Sequence, residues 1–117
     1  MPKILVVEDE AAIRRVLVKI LAEQDEKNEI EEAENGKVAI AKFKESDYDL
    51  VLCDIKMPGV DGIEVLDFMM KEKPETAVIM ISGHGDLDTA VDCIKKGAFD
   101  YISKPPDLNR LLQTVKL

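Results

Sequence analysis

The sequence predicts an α/β domain: a doubly wound parallel sheet of five strands in the order 2-1-3-4-5, with helices on both faces. Three observations predict it. Five short apolar runs alternate with five helical patterns along 117 residues, which calls for parallel strands joined by right-handed crossovers. The first, third and fourth runs are continuously apolar, as strands covered on both faces must be. No linker, repeat or low-complexity segment interrupts the alternation, so residues 1–117 read as a single domain, long enough to bury a real core.

Each element follows in order. The first strand is Ile4–Val7, and Ile13, Val16, Leu17, Ile20 and Leu21 then recur at i, i+3, i+4, i+7 and i+8, one apolar stripe of a helix. The second strand, Glu29–Ala33, carries only Ile30 and Ala33 among glutamates and belongs at a sheet edge. Asn35 is an N-cap residue for the helix whose pattern, Val38 to Phe43, is the least regular. The third strand is Leu50–Cys53. Asp61, with Glu64 three residues on, comes close to a capping box for a helix carrying Ile63, Leu66 and Met70. The fourth strand is Ala77–Ile81, followed by Asp86 as cap and the stripe Leu87, Ala90, Val91 and Ile94. Gly97 after "CIKK" reads as a left-handed C-cap with cations in the last turn. The fifth strand is Phe99–Ile102, and Asp107 caps a last helix with Leu108, Leu111, Leu112 and Val115. That helix runs into Leu117 without a stop signal, so the natural chain is expected to continue beyond it.

Composition narrows the function. With 16 basic and 24 acidic residues the net charge is −8, which speaks against a nucleic-acid footprint, because duplex binding needs a basic face. Cys53 and Cys93 are too few, and too embedded in regular elements, for a disulfide scaffold; two buried free thiols are expected. No apolar run approaches the ~20 residues of a membrane span, and "MPKILVVEDE" is not a signal peptide. A cytoplasmic location is expected.

The chemistry lies at the strand ends. In an open α/β sheet, ligands bind beyond the carboxyl ends of the strands at the point where strand order reverses, here between strands 1 and 3. Glu8 and Asp9 follow strand 1 and Asp54 follows strand 3, so three carboxylates converge on that crevice. Each close pair of them costs about 4 kcal/mol at 4 Å and an effective dielectric near 20. Either one carboxyl stays protonated or a divalent cation neutralises the group. An all-oxygen site with no His/Cys cluster suits Mg²⁺. Ser82 after strand 4 and Lys104 after strand 5 bring a hydroxyl and an ammonium alongside. Taken singly, Ser82 is an ordinary strand-end turn residue. Together these are parts for phosphoryl transfer to an aspartate. Asp54 would attack in line, while the metal and Lys104 would hold the phosphoryl oxygens and Ser82 would donate a hydrogen bond.

"VVEDE", "DIKMPGVDG", "ISGHGD" and "KGAFDYISKP", in that order and spacing, resemble the receiver domain of bacterial two-component response regulators over essentially the whole chain. The resemblance implies a flavodoxin-like (βα)5 fold and phosphorylation of Asp54 from the phosphohistidine of a sensor histidine kinase. It implies Mg²⁺ held by Asp9, Asp54 and the backbone carbonyl of Lys56, with Glu8 acting largely through water. Lys104 would pair with the phosphoryl group, and the Lys104–Pro105 peptide bond is expected to be cis. A switch is implied as well: Ser82 moves toward the phosphoryl oxygens and Tyr101 turns inward. The face of helix 4, strand 5 and helix 5 then changes its preference for an output domain, an effector or a second copy of the chain. By the same resemblance Lys56 and His84 would occupy the positions that tune phosphoryl-group loss, although His84, the only histidine, reads by itself as a surface-loop residue with no special role. Within the family, "ISGHGDLDTAVDCIKKGAFDYISKP" looks most like receivers of nitrogen-regulator-type, sigma-54-dependent activators, which would make this chain the N-terminal part of a longer transcription regulator.

Two other readings use the same residues. A phosphohydrolase of the haloacid dehalogenase type also forms an aspartyl phosphate, but needs a second aspartate two residues after the nucleophile, where this chain has Lys56. A receiver-like module that binds partners without phosphorylation would not need the acid pair, Asp54 and Lys104. The domain is therefore expected to signal, not to turn over a substrate.

Overall fold

A computed structural model describes residues 2–82 and 87–103. Its elements are β1 (Lys3–Val7), α1 (Ala11–Gln24), β2 (Glu29–Ala33), α2 (Gly36–Glu45), β3 (Leu50–Asp54), α3 (Gly62–Glu72), β4 (Ala77–Ser82), α4 (Leu87–Lys95) and β5 (Asp100–Ser103). All strand pairs are parallel and the sheet order is β2-β1-β3-β4-β5, as the sequence predicts. The glutamate-rich β2 lies at the edge. The expected last helix, its cap Asp107 and the cap Asp86 lie outside the described residues.

Alternation along the strands divides the core in two. Ile4, Val6, Leu52, Ile79, Ile81 and Ile102 point to one face, where Leu17 and Leu21 of α1 cover them. Leu5, Val7, Val51, Cys53, Val78 and Met80 point to the other, under Phe43 of α2, Leu66 and Met69 of α3 and Cys93 of α4. Both cysteines are free and buried. Central strands must satisfy both faces at once, which is why their sequences are apolar without a break.

Caps and turns set where the helices begin and end. The Asn35 side chain accepts from the Val38 N–H at 2.8 Å, and that of Asp61 accepts from the Glu64 N–H at 3.0 Å. At the end of α4, Gly97 has φ +108°, its N–H donates to the Ile94 carbonyl, and the Ala98 N–H donates to that of Cys93. This pair of bonds satisfies two carbonyls that the helix end would leave bare.

Three sequence expectations need correction. Val16, Val91 and Ile94 belong to the apolar stripes that the sequence predicts to be buried but are 54%, 43% and 49% exposed. On α4 Ala90 packs on the core as expected, and the wholly buried Cys93 faces the sheet where Val91 and Ile94 do not. Phe99 is not the first residue of β5; it precedes the strand, half exposed, with its N–H bonded to the Val78 carbonyl at 2.7 Å. β3 and β4 each run one residue further than expected, through Asp54 and Ser82.

Candidate functional site

The β3 strand delivers Asp54 as its final residue. In register, Cys53 lies beside Val7 of β1, and Asp54 lies beside Ile81 of β4. The Ile55 N–H extends the ladder by donating to the Ile81 carbonyl at 2.9 Å, so the main chain carrying Asp54 is held by strands on both sides. Glu8 leaves β1 with its N–H donating to the Ala33 carbonyl of β2 at 3.1 Å. Its Oε2 accepts from the Glu10 N–H at 3.3 Å.

These placements bring the acidic residues together. One carboxylate oxygen from each of Glu8, Asp9 and Asp54 lies within 4.8 Å of the others. Glu8 and Asp54 are buried, at 0% and 4% exposure, and Asp9 is the more open of the three. Carboxylates this close repel unless a proton or a cation intervenes. The donor set is all oxygen and partly open, which fits a hard divalent cation such as Mg²⁺. Cys53 does not compete as a ligand. Burial pushes its thiol far above the usual range, with the neighbouring Asp54 charge adding to the shift, so no thiolate forms there.

The chain leaves the site through a loop closed at its base. Gly62 at the start of α3 donates its N–H to the Ile55 carbonyl at 2.8 Å, and Gly59 turns the tip with φ +77°. Lys56 begins this loop with its side chain exposed. A Cβ on Gly62 would lie 2.1 Å from the Asp54 carbonyl oxygen, so only glycine lets α3 start against the Asp54 main chain. An open cleft bordered by Asp9, Asn35, Lys37, Pro58 and Val60 adjoins the cluster.

The other expected site residues divide. Ser82 is at the end of β4, 3% exposed and beside Ser103 of β5 in register. Tyr101 sits next to Met80 in register and is buried, at 9% exposure, within the core that α4 covers. The ring thus occupies an inward position in this structure. Beside it a groove is lined by Ala90, Val91, Ile94 and Lys95 of α4 and by Asp100. Lys104, Pro105 and His84 lie outside the described residues.

Arg14 escaped the sequence reading. Its Nη1 donates to the Glu8 carbonyl at 2.8 Å and its Nε to Glu32 Oε1 at 3.0 Å. The available signal was a basic residue five positions after Asp9, in the first turn of α1 and outside its apolar stripe.

Comparison with known proteins points one way. Residues 4–116 match the family described as "Response regulator receiver domain". The transcriptional regulatory protein ResD of Bacillus subtilis is 46% identical over 97% of this chain, which spans 46% of ResD. The chemotaxis protein CheY of Listeria monocytogenes is 40% identical over 99% of this chain and 97% of its own length. Among solved structures, the CheX-CheY-BeF3-Mg+2 complex from Borrelia burgdorferi superposes with a TM-score of 0.90 at 35% identity, covering 97% of this chain and 86% of that one. Similar proteins also include the nitrogen assimilation regulatory protein NtrX of Azorhizobium caulinodans, 40% identical over 93% of this chain and 24% of its own length. No described helix is long and apolar enough to cross a membrane.

Proposed function

The chain belongs to the response regulator receiver domain family, and from that footing we propose that Asp54 is its phosphoacceptor. The observation that carries the proposal is the convergence of Glu8, Asp9 and Asp54 at the reversal of strand order, with Asp54 on the strand between β1 and β4. A carboxylate oxygen of Asp54 attacks the phosphorus of a phosphohistidine on a sensor histidine kinase. The new P–O bond forms as the P–N bond breaks, and its electron pair leaves with the imidazole nitrogen.

Glu8, Asp9, Asp54 and the main-chain carbonyl of Lys56 are the residues that would hold Mg²⁺. When bound there, it supplies positive charge against the phosphoryl oxygens. Lys104, placed by sequence just after β5, pairs with the phosphoryl group. Ser82 donates its hydroxyl to a phosphoryl oxygen. Tyr101 and the apolar groove along α4 read out the change, passing it to an output domain, an effector or a second copy of the chain. Because the chain spans only about half of ResD, a transcriptional output would reside in further sequence. Lys56 stands where a haloacid-dehalogenase-type enzyme needs its general acid, which favours a persistent phosphoryl group over turnover.

Incubation with acetyl phosphate and Mg²⁺, read by intact-protein mass spectrometry, tests the reading. A one-phosphoryl adduct is expected on the parent and none on Asp54→Asn. Equal labelling of Asp54→Asn, or catalytic release of phosphate from small esters, would sink it.

A further inference from the structure

We infer that Arg14 is a positioning residue for the acidic cluster, clamping the Glu8–Asp9 segment to β2 so that the carboxylates of β1 and β3 meet at one point. The inference rests on the metal-site reading above and adds a residue to it.

The Glu8 main chain is held at both of its polar groups. Its N–H donates to the Ala33 carbonyl of β2, and its carbonyl accepts from Arg14 Nη1 at 2.8 Å. Arg14 reaches this carbonyl while its Nε donates to Glu32 Oε1 at 3.0 Å, so one planar guanidinium ties β1's exit to the edge strand. Its own N–H donates to the Glu10 carbonyl at 2.9 Å, which seats it in the first turn of α1. The Arg14 side chain is only 18% exposed and Glu32 is 51% exposed, so the fork is braced on the side facing the protein. The next residue along from the clamped carbonyl is Asp9. Free rotation of the Glu8–Asp9 peptide would swing that carboxylate out of the 4.8 Å cluster.

Arginine suits this role because it presents several donors in a fixed fork, which lysine cannot reproduce. Charge alone predicts the opposite outcome. A cation beside a cation site repels the incoming ion, so deleting a mere point charge would tighten metal binding. Groups that orient metal ligands typically contribute about 10- to 100-fold to affinity.

Isothermal titration with Mg²⁺ alone, without phosphorylation, separates the possibilities. Arg14→Ala is expected to weaken Mg²⁺ binding about 10-fold while the metal-free thermal midpoint falls by about 4 °C, the loss of one such hydrogen bond. Arg14→Lys is expected to recover only part of the loss. Binding by Arg14→Ala as tight as the parent's or tighter, or Arg14→Lys equal to the parent, overturns the inference. If Arg14→Ala does not fold, Arg14→Lys decides alone on the same criterion. The parent and Asp9→Ala are titrated beside them. A parent that binds no Mg²⁺, or Asp9→Ala binding as well as the parent, sinks the metal site and the Arg14 role with it. A parent that binds, with Arg14 variants equal to it, removes Arg14 alone.

Discussion

Replacing Gly62 by alanine adds one methyl group where β3 leaves no room for it. The new Cβ would lie 2.1 Å from the Asp54 carbonyl oxygen, 2.7 Å from the Ile55 Cα and 2.9 Å from the Asp54 carbonyl carbon. Ordinary contacts between such atoms are about 3.5 Å, so a separation of roughly 1 Å or more must open. β3 cannot yield, because β1 and β4 grip it from both sides. Helix α3 must retreat instead, stretching the Gly62 N–H bond to Ile55 and lifting Val65, Leu66 and Met69 from the core. Overpacking of this kind costs about 1–3 kcal/mol, and a lost backbone hydrogen bond adds about 1 kcal/mol. At about 4 °C per kcal/mol for a domain of this size, Tm should fall by roughly 8–16 °C. Gly36→Ala is the control. Its Cβ would meet the Val60 carbonyl oxygen at 2.4 Å, but Val60 lies between β3 and α3 and is not held by strand pairing. Circular dichroism melts of the two variants check the argument. A Gly62→Ala midpoint within about 2 °C of the parent, or a larger loss for Gly36→Ala, would show that the close approach to Asp54 is not rigid.

Two further outcomes follow from titratable groups outside the proposed ligand set. Burial holds the Cys53 thiol protonated, so a thiol-specific reagent near pH 8 should label it only at the rate of unfolding; fast labelling of Cys53 in the folded protein would contradict its burial. On the edge strand β2, the hydrogen bond from the Tyr48 hydroxyl to Glu31 at 2.9 Å is the main cause that lowers the Glu31 carboxyl, with Lys3 adding to it. A depressed folded-state value means this contribution is fully present above the ordinary value of 4.5 and is lost as pH falls through the folded-state value. Tyr48→Phe should therefore flatten the acid limb of a urea-stability profile below about pH 4.5, and an unchanged limb would refute the assignment.

Much of the candidate site was legible because its signals are local. Asp54 ends a continuously apolar run, Glu8 and Asp9 end another, and strand ends in a doubly wound sheet are where ligands bind. Asn35 and Asp61 announced their helices through hydrogen bonds that span only three residues. What escaped was relational. Nothing in the text of α1 says that Arg14 reaches Glu8, since the contact depends on how the helix rolls against the sheet. Nor does the α4 stripe reveal that Cys93, rather than Val91 or Ile94, faces inward.

The amino-acid sequence by itself determined the strand and helix alternation, the edge position of the glutamate-rich β2 and the identity of the acidic residues, because periodicity, charge and capping act over a few residues. Tertiary structure alone decided that carboxylate oxygens of Glu8, Asp9 and Asp54 come within 4.8 Å, and that Gly62 touches the Asp54 main chain. It alone decided, too, that Arg14 ties the exit of β1 to β2. Those distances depend on strand register and helix docking, which are set by the packing of both sheet faces together and are written in no single segment.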